Sequence, residues 1–186
     1  MQTARGTTLT GARWRPPLLL AIGVGVFGYA VDQLTKLLAI ENLTPGRPVE
    51  IIGSVLQLSL FRNPGAAFSM GTNSTVALSI FAIVALLGCL AFGLPRVRSM
   101  PQGLALGLLL AGIGGNLHDR LLREPSPLRG HVIDFLQLKY FAIFNVADIC
   151  ITSAAVLFVL LSFRQPAQAD AGIASQRGDM GAGERL

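Results

Sequence analysis

Charge is what this chain has least of. Only 13% of its 186 residues are Asp, Glu, Lys or Arg, while 52% are hydrophobic. Soluble domains carry about a quarter charged residues, so a water-soluble globular fold is excluded. Histidine is nearly absent, with His118 and His131 alone. The two cysteines, Cys89 and Cys150, both fall inside apolar runs. They read as buried thiols without a disulfide. No Cys/His cluster has zinc-ligand spacing, so no metal site is expected. No serine stands in a nucleophile elbow, and no glycine-rich phosphate loop follows a strand. The net charge of +5 does not point to nucleic acid, because the arginines lie between apolar spans, where membrane topology accounts for them.

Long apolar runs are plentiful instead. A helix needs about 20 residues to cross roughly 30 Å of hydrocarbon, and four segments are long enough. The first runs from Pro17 to Ile40 and contains Asp32 and Lys36. The second lies within Asn63 to Pro95, a stretch without one charge, with its core at Thr75 to Leu94. The third runs from Gln102 to Leu122, the fourth from Phe141 to Phe163. Arg5, Arg13, Arg15, Arg96, Arg98 and Arg164 all fall on one side of four alternating spans, and that side is expected to be cytoplasmic. The other side carries Arg47, Arg62, Arg123, Arg129 and Lys139. The expected organisation is a cytoplasmic segment over 1–16, one membrane domain over 17–163, and a disordered cytoplasmic tail over 164–186. The first apolar stretch could be a cleavable signal peptide. It lacks a small-x-small site followed by polar sequence, so a retained span is the better reading.

Between the first two spans, Leu56, Leu58 and Leu60 alternate with Gln57 and Ser59, the period of a half-buried strand. Gly53-Ser54 can turn it back on Val49 to Ile52 as a hairpin. The fold expected is an all-α membrane protein: a four-transmembrane-helix bundle with a small β-cradle on the extracytoplasmic face.

The polar residues of the spans gather at one depth. Asp32 is about 16 residues along its span, roughly 24 Å at 1.5 Å per residue, in the outer third. The third span ends outside with Asn116, Asp119 and Arg120; the fourth starts outside with Asn145 and Asp148. Gly112, Asn116 and Arg120 share one helical face, and Asn145, Asp148 and Thr152 another. Gly103, Gly107, Ala111 and Gly115 form a small-residue stripe for close helix packing. Asp32 and Lys36 are either a self-neutralising pair or a substrate contact; the spacing leaves both open. Asp119-Arg120 reads, for Asp119, as a helix-end salt bridge, and Asn63-Pro64-Gly65 alone as a turn. Asp134 and Asp148 have no Lys or Arg at i±3 or i±4, and ionisable groups at membrane depth mark functional sites by default.

Five motifs occur in order: Asp32-Gln33-Leu34-Thr35-Lys36, Asn63-Pro64-Gly65-Ala66-Ala67-Phe68-Ser69, Gly115-Asn116-Leu117-His118-Asp119-Arg120, Gly130-His131-Val132-Ile133-Asp134-Phe135 and Phe144-Asn145-Val146-Ala147-Asp148. Together, over residues 17 to 163, they resemble the bacterial lipoprotein signal peptidase family, signal peptidase II. The resemblance implies an intramembrane aspartic endopeptidase. It would remove signal peptides from prolipoproteins by cutting just before a diacylglyceryl-modified cysteine. It implies Asp134 and Asp148 as the catalytic dyad, with Asp32, Lys36, Asn63, Gly112, Asn116, Arg120 and Asn145 binding substrate or supporting the site. It also implies a monomer in the bacterial inner membrane, in contact with membrane lipids, with both termini cytoplasmic. One departure is the stretch from Leu122 to Arg129, longer than the family's usual link and expected to tolerate shortening.

Such a dyad needs no cofactor. Two close carboxyls cannot both ionise easily and share a proton; one activates water and the other polarises the carbonyl. Two other classes compete. A proton-coupled transporter would place its acids near the midplane between repeats, and no repeat is visible. A non-enzymatic assembly factor leaves two unpaired aspartates without a purpose.

Overall fold

The computed structural model describes residues 15–65, 73–125 and 127–163. Four helices are long and apolar enough to cross a membrane: Pro16–Asn42, Thr75–Arg96, Met100–Leu122 and Val146–Phe163. We call the first, third and fourth α1, α3 and α4. The second, α2, begins at Asn73 and passes through a π-helical turn at Cys89–Gly93 and a 3-10 turn at Leu94–Arg96. Their surfaces are inverted relative to a soluble bundle. Phe27 and Phe81 are each 72% exposed, while Asp32, Lys36 and Asp119 are fully buried. Apolar outside and charged inside is the arrangement that hydrocarbon demands.

Local sequence explains where the helices begin. Pro16 and Pro17 open α1, where a missing N–H costs nothing. Ser99 and Gln102 form a capping box at the start of α3. The fourth helix starts later than its hydropathy indicates, at Val146 rather than Phe141. Asn145 caps it: its Oδ1 accepts the Asp148 N–H at 3.0 Å, and Asp148 Oδ2 accepts the Asn145 N–H at 3.1 Å. The residues before it turn into a short strand instead.

The small-residue stripe does what its spacing indicates. Side chains added at Gly103, Gly107 and Gly115 would collide with α1, meeting Pro17, Ala21 and Asp32 respectively. These absences let α1 and α3 make the most extensive pairing of the bundle. Helices α2 and α4 also lean on α3, with little contact between each other.

At the Asp32 end lies an antiparallel sheet of four strands in the order β1 (Val49–Ile52), β2 (Leu56–Asn63), β3 (Val132–Leu138) and β4 (Ile143–Phe144). The hairpin expected at Gly53 is present, with Gly53 at φ +48°. Sequence periodicity did not reveal β3, because Val132 to Phe135 are all buried and do not alternate. In register, Phe61 faces Asp134 and Asn63 faces Val132. Leu60, Ile133 and Phe135 pack with Ala39 in the core beneath the sheet, which seats β3 on the end of α1. The tail over 164–186, most of the 1–16 segment and residues 66 to 69 of the Asn-Pro-Gly motif lie outside the described residues.

Candidate active site

Asp134 projects from β3 and Asp148 from the first turn of α4, and one asparagine touches both. Asn145 Nδ2 donates to Asp134 Oδ1 at 2.6 Å, and the Asn145 backbone N–H donates to Asp148 Oδ2 at 3.1 Å. Asp134 Oδ2 accepts from Asn63 Nδ2 at 2.9 Å, and Asp148 Oδ1 from Asn116 Nδ2 at 2.9 Å. Among the described residues no ion pair reaches either aspartate. Two carboxyls that the sequence separates by 14 residues are thus held together by three asparagine amides.

Their settings differ. Asp134 is nearly inaccessible, and burial pushes its carboxyl up to about 6, the neighbouring Asp148 charge adding to the rise and the Asn63 and Asn145 amides opposing it. Asp148 stands at the N-terminal end of α4, where two N–H donors converge on it.

Beneath the pair lies a buried charge layer. Lys36 Nζ is 2.8 Å from Asp32 Oδ2, 2.8 Å from Asp119 Oδ2 and 3.1 Å from Asn116 Oδ1. Asp32 and Lys36 are therefore ion-paired and fully buried. The last contact also orients the Asn116 amide, so that its nitrogen faces Asp148 and its oxygen faces Lys36. Asn145 Nδ2 reaches the same oxygen at 3.1 Å. The helix-end salt bridge expected between Asp119 and Arg120 is not formed among the described residues: adjacent side chains leave a helix in different directions, and Asp119 pairs instead with Arg123, four residues on, at 2.6 Å, while also belonging to the Lys36 cluster. Gln33, which sequence reasoning passed over, donates to Asp32 Oδ2 and to the Gly115 carbonyl. Its only signal was its place beside Asp32.

Gly112 acts through its missing side chain: a Cβ there would strike the Ala147 carbonyl and Ile151, so it lets α4 approach α3. Arg120 keeps Nη1 buried with no hydrogen-bond partner among the described residues. It lines the sheet end of an apolar cavity of about 610 Å³ with Asn116, Leu78, Phe81, Leu109 and Ile113. A second cavity of about 290 Å³ shares Gly93, Leu106 and Phe158 with it and ends at Arg96. The two cavities are thus neighbours, one reaching Arg120 and the other Arg96.

His118 Nδ1 and Tyr29 Oη form a 2.7 Å hydrogen bond between α3 and α1, and no metal-holding cluster occurs among the described residues. The long link after α3 is more tied down than its turn composition indicates. Ser79 on α2 donates to the Leu128 carbonyl at 2.7 Å, and the Gly130 N–H donates to the Arg120 carbonyl at 3.1 Å. Thr75 donates to the Pro64 carbonyl, fastening the other strand exit to α2.

The chain and its scaffold have counterparts among known proteins. Residues 24–164 match the profile of the family described as Signal peptidase (SPase) II. The chain belongs to the signal peptidase II family. It is 46% identical over 145 residues to the lipoprotein signal peptidase of Rhodococcus jostii (strain RHA1), covering 78% of this chain and 72% of that one. It is 44% identical over 158 residues to that of Mycobacterium avium (strain 104), covering 84% and 86%. A bacterial membrane enzyme solved by the in meso method at 1.9 Å resolution superposes with a TM-score of 0.69 at 28% identity, over 78% of this chain and 93% of that one. As a member of signal peptidase II, the chain is a multi-pass bacterial membrane protease of the aspartic type, and it removes signal peptides from prolipoproteins. The transporter and assembly-factor readings are thereby set aside.

Proposed function

We propose that Asp134 and Asp148 are the catalytic dyad of this peptidase and that it cuts just before a cysteine carrying diacylglycerol. The observation that carries the reading is Asn145, which hydrogen-bonds both carboxyls at once. The two environments divide the work. Asp134, whose burial favours the protonated form, polarises the scissile carbonyl. Asp148, at the helix N-terminus, takes a proton from the attacking water. As the tetrahedral intermediate collapses, the C–N bond breaks and the leaving amine takes a proton from the dyad. Arg120 offers to a substrate carbonyl its Nη1, which has no partner among the described residues. Asn63 and Asn116 hold the carboxyls, Lys36, paired with Asp32, holds Asn116, and Gly112 sets the α3–α4 approach. The cavity below Arg120 suits the apolar part of a signal peptide, with the lipid chains remaining in the bilayer. Purified protein should convert a diacylglyceryl-modified prolipoprotein to a product whose mass starts at the lipidated cysteine. Equal cleavage of the unlipidated precursor, or a cut elsewhere, would defeat the substrate assignment.

The proposed topology places both termini and the α2–α3 link in the cytoplasm and the sheet outside, with one chain, spanning 17–163, as the working unit. The arginine asymmetry supports it, as does the gathering of the buried polar groups at the sheet end of the bundle. A periplasm-specific reporter should be active when fused after Gly53 and silent after Arg98; the reverse pattern would invert the molecule.

A further inference from the structure

Two backbone amides connect the buried charge layer to the dyad. The residue before Asp134 is Ile133, whose N–H donates to Asp119 Oδ2 at 3.1 Å. The residue before Asp148 is Ala147, whose N–H donates to Asp32 Oδ1 at 2.9 Å. Lys36 joins the two acceptors at 2.8 Å each. Each dyad carboxyl is thus one peptide unit from a buried carboxylate, and a single ammonium holds both of those carboxylates.

We infer that Asp119 is a positioning residue of the reaction: it fixes β3 to the end of α3 through the Ile133 N–H and couples Asp134 to Asp148 through Lys36. This rests on the dyad reading above.

The local geometry explains why an acid is needed there. Strand β3 pairs with β2 along its length, but β4 covers it only at Leu136 and Gln137. At Ile133 the second edge of the strand is open, and its N–H meets α3 instead of another strand. A buried backbone donor left without an acceptor is destabilising, and Asp119 supplies the acceptor that a longer β4 would otherwise supply. The chain reaches this position by turning hard against α3. The Gly130 N–H donates to the Arg120 carbonyl, and a Cβ at Gly130 would collide with the Asp119 and Arg123 carbonyls. An ordinary i,i+4 surface pair would explain only the Oδ1–Arg123 contact. It leaves the other oxygen, fully buried and shared between Ile133 and Lys36, without a reason.

Arg123 provides the control. Asp119→Asn weakens the grip on Lys36 and Ile133; Arg123→Gln removes only the helix-end partner. On a lipidated prolipoprotein, Asp119→Asn should lower kcat tenfold or more with KM within about twofold, since a misplacement near 1 Å can cost about 100-fold. Arg123→Gln should stay within about threefold of wild type. Replacing the Val132–Ile133 amide by an ester deletes only the N–H donor; it should reproduce the kcat loss, and it decides the matter if Asp119→Asn fails to accumulate. Wild-type kcat in the ester variant, or an equal loss in Arg123→Gln, would overturn the inference. Asp134→Asn assayed alongside separates the two levels: activity there defeats the dyad, whereas an inactive Asp134→Asn beside a fully active ester variant defeats only the role of Asp119.

Discussion

Asp134→Asn and Asp148→Asn should each lower turnover on a diacylglyceryl-modified prolipoprotein by at least about 10⁴-fold, roughly 5.4 kcal/mol at 1.36 kcal/mol per factor of ten. Both should reach the membrane at normal level. Asparagine keeps the size of aspartate and much of its hydrogen bonding, including an oxygen for the amides of Asn63, Asn116 and Asn145. It cannot take the proton of the attacking water or cycle between acid and carboxylate. Because the carboxyls act as one unit, the double variant should be hardly worse than either single one. Chelators should not inhibit the wild type. The pH profile provides a second readout. With Asp134 raised to about 6, the fraction of free enzyme holding the shared proton falls as pH rises through that value. kcat/KM should therefore decline on its basic side with an apparent pKa near 6 that belongs to the pair. Near wild-type processing by either asparagine variant, or a profile flat from pH 5 to 9, would remove the dyad from the mechanism.

Lys36→Met should produce the largest loss of stability, about 3–5 kcal/mol, the usual cost of removing one partner from a buried ion pair. Lys36 is fully buried and is the common counter-ion of Asp32 and Asp119. Without it two carboxylates face each other inside the bundle, with only Arg123 to offset one of them. Its loss also releases the Asn116 amide, whose oxygen it holds. The neutral triple variant Asp32→Asn, Lys36→Met, Asp119→Asn should recover most of the stability, because the penalty comes from unpaired charge more than from lost packing. Thermal unfolding in detergent or lipid tests both statements. A Lys36→Met protein that unfolds at the wild-type temperature would show that the cluster is solvated in the membrane and contributes little.

Much of this molecule was legible because membrane depth is a one-dimensional quantity. Scarce charge and four apolar runs set the number of spans. The fixed rise per residue then set the level of Asp32, Asn116, Arg120, Asn145 and Asp148, which the structure brings to one end of the bundle. Helical spacing likewise identified the face of α3 that carries Gly103, Gly107 and Gly115 against α1. Boundaries were less legible where capping outweighed hydropathy, as at Asn145, which starts α4 five residues after the apolar run begins.

What periodicity could not supply is the sideways arrangement at that depth. Strand β3 is buried on both faces and so shows no alternation. The partners that matter are far apart in the chain. Asn63 meets Asp134 across 71 residues, Lys36 meets Asn116 across 80, and Asp32 meets the Ala147 amide across 115. Asp119 looked like an ordinary helix-end acid because Arg120 follows it directly, while its actual partners Arg123, the Ile133 amide and Lys36 meet it only in the folded chain. Local sequence sets depth and helical face, since both follow from the geometry of a single helix. Which groups meet at that depth depends on how separate helices and strands pack, and only the tertiary structure decides it.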